Sequence, residues 1–165
     1  MNSLYVLNVT IHILAAFLWL GGMFFLAVVG APVLRRIESP ELRSRLFRDI
    51  GEQFRRVGWV CIAVLLVTGV LNLQYRGLLH REVLTSSNFW SSAYGHALAG
   101  KLTAVVVMVV ISAIHDFAQG PRASRFTPGS PEALKARRRA AVLARINAGL
   151  GILVVWAAVR LSRGG

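Results

Sequence analysis

Residues 4–34 read LYVLNVTIHILAAFLWLGGMFFLAVVGAPVL, an apolar run without a charged residue until Arg35-Arg36. About 20 residues suffice to carry a helix across the hydrocarbon core of a bilayer. The run therefore predicts one membrane-crossing helix with length to spare. Three more apolar runs follow, at about 58–75, 95–117 and 140–159. No strand-like alternation or internal repeat is present, and lipid requires each crossing segment to satisfy its own backbone polar groups. The expected fold is all-α: an integral membrane, antiparallel four-helix bundle forming a single membrane domain over residues 1–165. Composition agrees, with 55% hydrophobic and 16% charged residues and a mean hydropathy of +0.58.

Between the first two runs, Ser39-Pro40-Glu41 is a helix-start signal, with a capping hydroxyl, a proline at the first helical position and an acid in the first turn. Leu42, Leu46, Ile50 and Phe54 then recur at helical spacing among Arg43, Arg45, Arg48, Asp49, Glu52 and Arg55. That pattern predicts an amphipathic interfacial helix over about 40–55, running into the second span. Arg76-Gly77 closes that span. The segment from Leu78 to Ala93, with Phe89 and Trp90, reads as a loop packed at the outer surface. Gly120-Pro121 should end the third span. A second start signal, Ser130-Pro131-Glu132, lies in the linker from Arg122 to Arg139.

The formal charge of +12 does not imply nucleic acid. The arginines cluster in two short segments between apolar runs, as they do in cytoplasmic loops. Seven Arg follow the first span and six Lys or Arg follow the third, against Arg76 and Arg81 after the second. Both termini are thus expected on the periplasmic side of a bacterial inner (plasma) membrane, in contact with the lipid bilayer. Cys61 is the sole cysteine, so no disulfide and no cysteine-based zinc motif can form within the chain. No Lys or Arg precedes the first apolar run, so the first helix is expected to be retained and not removed as a signal.

Ionisable and strongly polar side chains inside a membrane are costly and mark candidate functional positions. Here they are Asn8, His12, Asn72, Gln74, His96, Lys101, His115, Asp116 and Asn147. Counting residues from the charged ends places His12 and His96 at nearly one level near the outer face. First and third helices of an up-down bundle are diagonal partners, so two imidazoles there could hold a metal or a planar macrocycle. His115 lies at the opposite edge and reads as an interfacial histidine paired with its neighbours; His80 lies in the outer loop. Asn8, His12, Ala15 and Trp19 share one stripe of the first helix, and Thr68, Asn72 and Tyr75 one of the second. Lys101 must snorkel outward or meet an anion. The candidate ligands are His12 and His96, with Lys101, Trp19 and Asn72 beside them around a cofactor.

Three stretches together resemble the CopD copper-resistance family of membrane proteins. They are Ile11-His12 through Trp19-Leu20-Gly21-Gly22 to Ala31-Pro32, Thr68-Gly69-Val70-Leu71-Asn72, and Tyr94-Gly95-His96-Ala97-Leu98-Ala99-Gly100-Lys101-Leu102. The first helix is also similar to that of the HemJ-type protoporphyrinogen oxidases, four-span proteins associated with haem b. The first resemblance implies copper handling or transport at the periplasmic side, with a periplasmic copper partner. The second implies haem b between His12 and His96, electron transfer or porphyrinogen oxidation, and an electron-transfer partner. A third reading is an accessory subunit of a membrane complex. Copper(I) favours soft sulfur ligands, and Met1, Met23, Met108 and Cys61 are the only ones available, with no Met-x-x-x-Met ladder. Copper would then rely on imidazole.

Overall fold

The computed structural model describes residues 3–119, 126–127 and 129–164, apart from the side chain of Gln119. Every regular element among them is helical. Four helices are long and apolar enough to cross a membrane: Ser3–Arg35, Pro40–Tyr75, Ala93–Ala118 and Pro131–Ser162. The chain is a multi-pass membrane protein with a helical-bundle fold. Gly120-Pro121 and residues 122–125 and 128 of the linker lie outside the described residues.

The first span comprises α1 (Ser3–Phe25), a wide π-helical turn at Leu26–Gly30, and α2 (Ala31–Arg35). Pro32 offers a physical reason for the wide turn. It has no N–H, and its ring crowds the carbonyl four residues back, which lies inside the π segment; such turns re-accommodate the backbone.

Ser39 caps α3 (Pro40–Tyr75), its hydroxyl accepting from Leu42 N at 3.2 Å. The amphipathic segment and the second span form one unbroken helix of 36 residues. At 1.5 Å per residue it is about 54 Å long, well beyond the ~30 Å hydrocarbon core, so its arginine-bearing first half extends past the apolar layer. Gly77, at φ +70°, closes α3: Leu78 N donates to Leu73 O at 2.9 Å and Gly77 N to Gln74 O at 2.9 Å. This pair of bonds is the Schellman pattern, which needs a left-handed residue at that position.

The outer loop holds two short helices, α4 (Arg81–Leu84) and α5 (Ser87–Trp90), joined by a bond from Trp90 Nε1 to Leu84 O at 2.9 Å. The third span is α6 (Ala93–Ala113), continued by a second π segment at Ile114–Gln119. A Cβ on Gly95 would run into the Phe89 carbonyl and lie 2.9 Å from Trp90 Cα. Only glycine lets the loop backbone sit this close to α6.

The fourth helix, α7 (Pro131–Ser162), is capped by Ser130. It begins nine residues before the apolar run, so Lys135, Arg137, Arg138 and Arg139 stand on the helix itself. Alanine, lysine and arginine are strong helix formers, and the start signal acts at once. Arg137 joins this extension to that of α3, donating to Ser44 Oγ at 2.6 Å and lying 5.8 Å from the Phe47 ring centroid.

The first span packs along α3 and α6 along α7, and the two hairpins meet where the first span touches α7. Trp19, Leu20, Cys61, Ile62 and Met108 form the buried core, with Met108 at 0% exposure.

Candidate functional site

Where α1 begins and α3 ends, the two helices are joined by side chains of the two polar stripes read from the sequence. Asn8, only 7% exposed, donates from Nδ2 to Thr68 O at 3.1 Å and to Asn72 Oδ1 at 3.0 Å. Both amide hydrogens are thereby used. Half-buried His12 places Nδ1 at 2.7 Å from Thr68 Oγ1, while that hydroxyl lies 2.6 Å from Val64 O.

For a neutral imidazole these distances place the proton on Nδ1. A hydroxyl has one hydrogen, and a carbonyl can only accept. Thr68 must donate to Val64 O, so it accepts from His12 Nδ1–H. The neutral ring then keeps its lone pair on Nε2, the arrangement in which a second hydrogen bond orients a metal-binding imidazole. Gly69 lies beside the ring, where a Cβ would make ordinary contact with His12 Cε1 at 3.6 Å.

His96 stands apart from this network. Its ring is exposed, with Nδ1 at 3.0 Å from Ser92 O. A carbonyl acceptor again requires Nδ1–H and leaves Nε2 free. Trp19 belongs to the core deeper in the bundle, over Gly58, whose Cβ would lie 3.6 Å from Trp19 Cδ1. Asn72 touches the site through Asn8. Lys101 is half-buried on α6 and, among the described residues, has no carboxylate or hydrogen-bond acceptor. It lies within electrostatic reach of both His12 and Arg76.

Arg76 was expected only to close the second span, but it also roofs the site. It donates from Nε to Tyr5 Oη at 3.3 Å and from Nη1 to Tyr94 Oη at 3.1 Å. These bonds, Tyr5's foremost, hold its pKa above the usual guanidinium value. Two tyrosines and an arginine at three helix ends were the available sequence signal, but nothing in their spacing shows that they meet.

The opposite end holds a second cluster. Trp59 Nε1 donates to Asp116 Oδ2 at 3.0 Å, and His115 Nδ1 lies 2.8 Å from Asp116 Oδ1. His115 is thus paired with its neighbour, as its interfacial position suggested. Among the described residues, no three His, Cys, Asp or Glu side chains gather as a metal-binding group.

Taken together, these features define a four-span helical membrane protein with an oriented, half-buried imidazole near one mouth. Residues 48–161 match the family described as Copper resistance protein D, and the chain belongs to that CopD family. The match runs from within α3 to the last turn of α7 and leaves out α1, where His12 and much of the motif resemblance lie. An uncharacterized protein of Aquifex aeolicus (strain VF5) is 30% identical over 155 residues, covering 93% of this chain and 92% of its own length. No solved structure matches. The family ties the chain to copper resistance; neither the match nor the separate settings of His12 and His96 support haem b.

Proposed function

We propose that this CopD-family protein handles copper at the periplasmic face of a bacterial inner membrane, with His96 and His12 as successive imidazole donors. Exposed His96 meets the ion first, and half-buried His12, four residues from Asn8 along α1, takes it inward. Both termini face the periplasm in this reading, because the arginine-rich ends of α3 and α7 mark the cytoplasmic side. The observation that carries the proposal is the bond pair at Thr68, which commits the His12 proton to Nδ1 and leaves Nε2 for a metal.

Lys101 sets which ion is tolerated. A nearby cation repels a divalent ion twice as strongly as a monovalent one at equal distance. Copper(I) is therefore the form this mouth accepts, held loosely enough to be passed on. Asn72 and Asn8 fix the helix pair that carries the ligand, and Trp19 fills the bundle beneath it.

Purified protein titrated with copper(I) against a competing chelator tests this directly. Wild type should bind, and His12→Ala should weaken the outer site by at least tenfold. Unchanged copper binding in both His12→Ala and His96→Ala would remove the proposal.

A further inference from the structure

We infer that Met23, Met108 and Asn147, with Cys61 in the same core, form an inner copper(I) station within the bundle, reached from the His12 mouth. The inference rests on the copper reading above and adds the soft donors that the sequence scatters over three helices.

Three observations converge. Asn147, 3% exposed, donates from Nδ2 to Ser112 Oγ at 2.9 Å and approaches Met23 Sδ at 3.5 Å. Its Oδ1 is buried and has no hydrogen-bond partner among the described residues. A buried carbonyl oxygen without a donor is uncommon in a folded protein and calls for an explanation. Met108 and Ser112 stand one turn apart on α6, as do Asn147 and Gly151 on α7, so each pair lies along one face. Met108 Cε reaches to 3.6 Å from where a Cβ on Gly151 would be. Met108 belongs to one buried cluster with Cys61, and Met23 packs against that cluster.

The donor set selects its ion. Thioethers and a thiol are soft ligands, matched to copper(I) and poor for hard divalent cations. Thioether sulfur and an amide oxygen are neutral, so no proton must leave when they bind. Cys61 lines the same core as a free thiol. His12 and Met23 are 11 residues apart on the first span, about 16 Å along its axis, so the station lies well inside the mouth.

Hydrogen bonding between helices is the competing explanation for Asn147 and Ser112. It accounts for Nδ2 and leaves Oδ1 unexplained.

The test is X-ray absorption at the copper edge on the full chain in lipid nanodiscs, loaded with copper(I) under reductant. Wild type should show both nitrogen and sulfur shells. Met23→Leu with Met108→Leu should strip the thioether sulfur and keep the imidazole signature, whereas His12→Ala with His96→Ala should remove the imidazole signature and keep the sulfur shell. If the double variant does not assemble, each single leucine variant should lower the sulfur number by one. Copper bound with nitrogen alone in wild type, or a sulfur shell unchanged in the leucine variants, overturns the inner station while leaving the mouth intact. Sulfur without nitrogen overturns the mouth instead, and wild type that binds no copper overturns both.

Discussion

The Asn8–Thr68–Asn72–His12 cluster and the Ser112–Asn147–Met23 cluster both place polar atoms between apolar helices, yet they differ in how far those atoms are satisfied. In the outer cluster each hydrogen of the Asn8 amide, the Thr68 hydroxyl and His12 Nδ1 has an acceptor. His12 Nε2 keeps a lone pair that a metal can use. In the inner cluster an amide oxygen is buried with no hydrogen-bond partner among the described residues, while the nitrogen of the same amide meets a hydroxyl and a thioether. The first arrangement holds a ligand in a set orientation. The second keeps a polar atom in reserve in the driest part of the bundle.

Substitutions can break that contrast, and the largest effect belongs to Thr68→Val. It keeps the shape but removes the acceptor for His12 Nδ1, freeing the ring to turn and to change tautomer. Loss of such an orienting partner lowers metal affinity about 10- to 100-fold, which copper(I) titration reads. An affinity within twofold of wild type would show that the hydroxyl does not orient His12.

Next comes Asn8→Leu, which removes two interhelical bonds. Side-chain hydrogen bonds between membrane helices are each worth about 0.6 kcal/mol on average, so roughly 1 kcal/mol of stability should disappear in reversible unfolding in detergent. Asn147→Leu with Ser112→Ala gives the smallest change and sharpens the comparison most. It exchanges both members of the buried amide–hydroxyl pair for apolar groups, and such replacement is nearly neutral or stabilising. A loss as large as that of Asn8→Leu would mean that Asn147 Oδ1 has a partner in the folded protein and that the contrast is false.

Much of the fold could be read in advance because lipid imposes simple rules. Length and hydropathy located all four spans, and Ser39-Pro40 and Ser130-Pro131 marked two helix starts that the hydroxyl bonds to Leu42 and Ala133 bear out. That the helix begun at Ser130-Pro131 runs unbroken into the fourth span escaped because a basic run on a helix and a basic run in a linker look alike in a hydropathy profile. The π segments escaped because one surplus residue in a turn leaves hydrophobic spacing almost unchanged.

The site was legible in part. Stripe spacing put Thr68 and Asn72 opposite Asn8 and His12, and the bonds between them follow. Matched depth brought His96 into consideration with His12, but depth says nothing of which way a ring turns. His96 Nδ1 is drawn to the Ser92 carbonyl one turn back, which also accepts the His96 backbone N–H, and such a turn of a ring leaves no mark on hydropathy or spacing. The sulfur atoms were counted correctly, yet an absent Met ladder concealed that residues far apart in the chain share one core.

The π turn at Leu26–Gly30 has a consequence for how this chain tolerates change in length. A wide turn stores one amino acid more than an ordinary helix would use over the same rise. A single-residue deletion there should tighten the coil to regular pitch and still deliver Arg35 and Arg36 to the aqueous boundary. The same cut in α1 above Trp19 would swing every side chain on one flank by about 100°, and His12 would turn away from Thr68.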